Sequence, residues 1–76
     1  NQIELYPNPA KNALSVQFGA VRFDRVIMFT ATGSLIEERD INETQMSFDV
    51  SNLPSGVYFM RFLQGKLAVT KRFVKE

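Results

Sequence analysis

The sequence has 76 residues, 45% hydrophobic and 22% charged, which allows one domain whose core must take up nearly every apolar side chain. Nine basic residues against eight acidic give a net charge of +1, too balanced for a nucleic-acid footprint. Cysteine and histidine are absent, which removes disulfides, structural zinc, thiol nucleophiles, histidine-based triads and imidazole switches together. No apolar run approaches the roughly 20 residues that a membrane-spanning helix needs. The chain begins at Asn1 without a basic-then-apolar leader, so it is read as a fragment of a larger precursor whose targeting peptide lies outside it.

Short alternating runs separated by turn residues dominate, and none has helical spacing. Ile3 to Tyr6 reads as a first strand. Pro7 and Pro9 end it, since neither can donate to a ladder, and Pro9-Ala10-Lys11-Asn12 reads as a turn. Leu14, Val16 and Phe18 alternate with Ser15 and Gln17 in a half-buried second strand. Arg25 to Phe29 forms a third, and its run Val26-Ile27-Met28-Phe29, apolar on both faces, places it centrally. Gly33 turns the chain into a fourth strand over Leu35 to Asp40. Met46, Phe48 and Val50 alternate in a fifth. Leu53-Pro54-Ser55-Gly56 has the residue pattern of a type I turn.

Val57 to Leu63 and Lys66 to Val74 flank Gln64-Gly65 as a two-residue hairpin, so Leu63 is expected opposite Lys66. One face then carries Tyr58, Met60, Phe62, Leu67, Val69 and Phe73 as core. The other carries Val57, Phe59, Arg61, Leu63, Lys66, Ala68, Thr70 and Arg72. About seven short strands in one small domain point to an all-β, Ig-like antiparallel sandwich. Acidic residues crowd the middle (Glu37, Glu38, Asp40, Glu43, Asp49) and basic ones the C-terminal hairpin. On opposite sheets these groups would attract one another, or each would mark a docking face, though ordinary solvated strand faces are the commoner outcome.

Catalytic equipment is thin. Glu38 and Asp40 leave the same face of a strand, but a carboxylate pair needs a cleft and one raised pKa to act on a glycosidic bond. The serines have no histidine or Ser-x-x-Lys partner to activate them. Asp40-Ile41-Asn42-Glu43 resembles a calcium loop without its glycine or its bidentate glutamate, so turn capping is the better reading. No metal or cofactor is expected. Val57, Phe59 and Leu63, rimmed by Arg61, Lys66 and Arg72, form an outward patch suited to protein docking, to a neighbouring domain, or to weak pairing of two copies.

The order of the turn motifs carries more. Tyr6-Pro7-Asn8-Pro9 opens the domain, a Gly33 hairpin follows, then Phe48-Asp49-Val50-Ser51-Asn52-Leu53-Pro54-Ser55-Gly56-Val57-Tyr58, and Lys71-Arg72-Phe73-Val74-Lys75 closes it. This succession closely resembles the C-terminal sorting domain (type A) of proteins exported by the type IX secretion system of Bacteroidota. Thr30 departs from the acidic or amide residue common in the family's mid-domain turn.

The resemblance implies a non-catalytic address label on a secreted passenger, in transit through the periplasm and then at the cell surface or released. Its implied partners are the outer-membrane translocon, its shuttle protein and a surface sortase that cuts near or upstream of Asn1. By the same resemblance, the recognition residues are Tyr6, Pro7, Asn8, Pro9, Leu53, Pro54, Gly56, Tyr58, Lys71, Phe73, Val74 and Lys75. The prolines and Gly56 would set turns. Lys71 and Lys75 would meet acidic groups of a receptor, with Phe73 and Val74 adding edge or pocket contacts. The alternative is an accessory carbohydrate-binding or structural Ig-like module of a secreted enzyme, for which tryptophan is missing.

Overall fold

The structure, a computed structural model, describes residues 3–76, so Asn1 and the cleavage expected near it lie outside the described residues. The alternating runs fold as seven strands: β1 (Glu4–Tyr6), β2 (Ala13–Gln17), β3 (Arg25–Thr30), β4 (Leu35–Asp40), β5 (Gln45–Asp49), β6 (Gly56–Gln64) and β7 (Leu67–Lys75). They build two antiparallel sheets, ordered β1-β2-β5 and β4-β3-β6-β7. This is the expected all-β sandwich. In immunoglobulin lettering it is A-B-E against C′-C-F-G, with the fourth strand beside the third.

The period-2 pattern sorts side chains as it should. Leu14 and Val16 of β2, Phe48 of β5, Val26 and Met28 of β3, and Met60 and Phe62 of β6 fill the space between the sheets. Phe18, Phe23 and Phe62 form a ring cluster with centroids 5.6 to 6.3 Å apart. Each buried phenylalanine contributes about 1.5–3 kcal/mol, so these rings are a large part of the drive to fold. β3 lies centrally between β4 and β6, as its two apolar faces indicate.

Three expectations need correction. The hairpin turns on Gly65-Lys66, and Gln64 faces Leu67, a slip of two positions from the expected register. Gly65 has φ 54° and among the described residues no non-glycine residue has positive φ, which fits a type II′ turn with glycine first. A two-residue slip preserves parity, so the faces of β6 and β7 stand. Leu67, assigned to the core, sits beside the hairpin tip and is 48% exposed.

The second correction concerns Leu53–Gly56. The hydrogen-bonded turn lies three residues earlier, with Leu53 N donating to Val50 O at 3.1 Å, and Gly56 already begins β6. Thirdly, the acidic strand β4 and the basic hairpin lie in one sheet at opposite edges, not on opposite sheets. Glu38 and Asp40 do share a face, where Arg25 pairs with both.

Arg39 closes the flank between β4 and β5. Its Nη2 donates to Ser47 O at 3.0 Å, its guanidinium carbon lies 4.0 Å from the Phe48 ring centroid, and its Nε donates to Glu37 at 2.6 Å.

Candidate recognition end of the sandwich

The segments that carry the resemblance meet at the end of the sandwich where β7 finishes. Pro7 and Pro9, both preceded by cis bonds, break β1 and aim the chain across to β7. There Ala10 N donates to Val74 O and Glu76 N donates to Ala10 O, each at 2.8 Å, making a short parallel bridge. Asn8 Oδ1 accepts from Val74 N at 3.0 Å, across 66 positions of sequence. An asparagine between prolines thus serves as the acceptor that finishes an edge strand, a role that a turn-residue reading misses.

The second segment is tied to the same place. Val50 N donates to Asn12 O at 2.9 Å, joining the β5–β6 turn to the loop that follows the prolines. Inside the turn, Asp49 Oδ1 accepts from the Ser51 hydroxyl at 2.7 Å and from Ser51 N at 3.0 Å. Those bonds, the hydroxyl first, hold the Asp49 carboxyl below the usual carboxylate range. Tyr58 hydroxyl donates back to Pro54 O, four residues upstream. The Tyr58 ring stacks on Phe73 of β7 with centroids 5.5 Å apart and planes 24° apart. Gly56 pairs with Lys75 and has φ 152°, a conformation that side-chain-bearing residues rarely adopt.

Burial separates residues that shape this end from those a partner can touch. Phe73 is wholly buried and Tyr58 is 6% exposed, so both belong to the framework. Lys71 and Lys75 lie on the inward row of β7, opposite Met60 and Gly56. Lys71 is half-buried, and Lys75 is 9% exposed with its Nζ donating to Glu76 O at 3.3 Å. Neither Phe73 nor Lys75 is therefore offered outward for the receptor contacts expected of them. Leu53, Gly56 and Val74 are half-buried, whereas Tyr6, Pro7, Asn8, Pro9 and Pro54 are exposed. The exposed set forms a polar and proline-rich rim over a sealed base.

The outward face of the four-stranded sheet carries a partly exposed apolar patch larger than the sequence indicates. Phe59 stacks on Phe29, with centroids 5.8 Å and planes 20° apart, and Ile27 sits half-buried in the adjacent row. Val57, Arg61 and Arg72 are exposed around them and Leu63 is half-buried. Phe29 escaped notice because a strand apolar on both faces reads as wholly interior.

The cavity of about 200 Å³ lined by residues 18–23 and 41–44 is far from these motifs, at the opposite end. It is smaller than a ligand pocket usually is. Among the described residues no group of three carboxylates gathers as a metal site, and residues 40–43 form no such group.

Among curated proteins no relative matches the chain. The profile of the secretion system C-terminal sorting domain matches residues 4–76, almost the whole sequence. Such secretion-signal families are generally non-catalytic, and their members mark proteins for export to the cell surface or for secretion. The chain belongs to the C-terminal sorting domains of the type IX secretion system.

Proposed function

We propose that residues 1–76 form a single sorting domain at the end of a larger precursor, and that it delivers an attached passenger through the outer-membrane type IX translocon. The domain does no chemistry of its own. A shuttle protein and the translocon read the folded domain after passage through the periplasm, and a separate surface sortase then removes it. The observation that supports this reading best is the convergence of the family's motifs. Tyr6-Pro7-Asn8-Pro9, the Leu53–Tyr58 segment and the end of β7 are brought together at one end of the sandwich by Asn8–Val74 and Ala10–Val74 hydrogen bonds over a buried Tyr58–Phe73 contact. A translocon that must accept many passengers needs a feature independent of them, and a rim built from both ends of the domain exists only when the domain is folded.

The test is a fusion of residues 1–76 behind a signal peptide and a fluorescent passenger in a Bacteroidota host. Added protease should reach the passenger in the competent strain and fail to reach it in a strain lacking the secretion system. A well-folded passenger retained in the periplasm of the competent strain would overturn the reading.

A further inference from the structure

We propose that the outer edge of β7, from Ala68 to Arg72, is a docking edge for an extended, acidic strand of a partner protein. Among the described residues, β7 has a strand neighbour on one side only, β6. Val74 turns both its N–H and its carbonyl away from β6, toward Asn8 and Ala10. Backbone groups alternate along an antiparallel strand, so Arg72, Thr70 and Ala68 present theirs on that same outer side. The hairpin gives the same parity, because Gln64 and Leu67 close the type II′ turn as a bonded pair. Among the described residues, the outward backbone groups of Ala68, Thr70 and Arg72 have no hydrogen-bond partner, and all three residues are exposed. Such a row is a template for strand addition.

The chain itself pairs with this edge at one point, the isolated parallel bridge of Ala10 with Lys75. That bridge seals only the final residues. The opposite edge of the sheet is poorly suited to the same use, because β4 carries a bulge opposite Met28 and Phe29.

Charge selects the occupant. Residues 56–75 contain Arg61, Lys66, Lys71, Arg72 and Lys75 and no acidic residue. Arg72 stands outward and Lys71 half-inward on consecutive positions of the edge. A second copy bringing its own β7 would set two cationic arrays side by side, which like charges on neighbouring strands oppose. A strand with carboxylates on both faces would meet Lys71 on one side and Arg72 on the other.

The experiment titrates the isotope-labelled 76-residue chain with a blocked peptide alternating glutamate with threonine and valine, with a lysine peptide as control. Binding at the edge should slow amide exchange of Ala68, Thr70 and Arg72 by about tenfold and leave the opposite sheet unchanged. Thr70→Pro removes the central outward donor without removing a β6 bond, so the fold should hold and affinity should fall about tenfold. Should that variant not fold, Arg72→Glu serves instead, and it should weaken the acidic peptide and favour the lysine one. The proposal is overturned by shifts confined to lysine side chains without slowed edge amides, or by protection of the Phe29–Phe59 face. Equal response to the lysine peptide, or sedimentation showing that copies pair through β7, would overturn it as well. Because the titration involves no export, its failure would leave the sorting role standing.

Discussion

Tyr58 links the turn, the core and the last strand from a single position. Its ring packs on Phe73 while its hydroxyl reaches Pro54 O. In Tyr58→Phe the ring contact survives and the Pro54 carbonyl loses its donor. The expected cost is about 1 kcal/mol, the usual net worth of such a bond, and a fall in Tm of about 4–8 °C for a domain of this size. Thermal unfolding followed by circular dichroism checks this, and an unchanged Tm would show the hydroxyl contributes nothing. At this scale the sequence was legible for the apolar residues, because alternation alone tells Leu14, Val16, Phe48 and Phe62 which way to face. It was not legible for Asn8, whose side chain serves Val74. A polar residue that bonds across the whole chain leaves no local pattern, and nothing near Asn8 distinguishes it from an ordinary turn residue.

The strands themselves follow from period and punctuation, but their registers do not. The sequence reading places Gln64-Gly65 in the turn, but a type II′ turn takes glycine first, and the positive φ of Gly65 with Gln64 paired to Leu67 puts the turn at Gly65-Lys66. Because the slip is even, every side chain of β6 and β7 keeps its face. Gly56 shows the same limit in the β5–β6 connection. Pro54 and Gly56 fit a type I turn by composition, yet Asp49 and Ser51 satisfy an earlier turn and release Gly56 into the strand. Glycine is needed there for its backbone, not for space, since an added Cβ would meet no atom within 4 Å. Gly56→Ala should therefore cost about 1–3 kcal/mol through φ alone. Denaturant unfolding reads this, and a loss below the error of the extrapolation would mean that the strand start relaxes to an ordinary conformation.

Across the whole molecule, the family was legible because its motifs lie in a fixed order, whereas their meeting place was not, since it depends on which sheet each strand joins. That meeting place governs how recognition can be probed. Deleting residues 69–76 looks like removal of a linear signal, but it takes Phe73 out of the core and strips β6 of one of its two neighbours, leaving only β3 beside it. A chain of this size is stable by about 4–11 kcal/mol, and truncating one buried phenylalanine alone costs about 3–5 kcal/mol. The deleted chain should thus lose cooperative thermal unfolding, while Arg72→Gln, altering an exposed side chain, should keep it. Retention of a deleted fusion in the periplasm would then report unfolding as much as lost recognition, so export must be judged with folded surface variants. A deleted chain that still melts cooperatively would mean that β1 to β6 fold alone, and that β7 can act as a detachable signal.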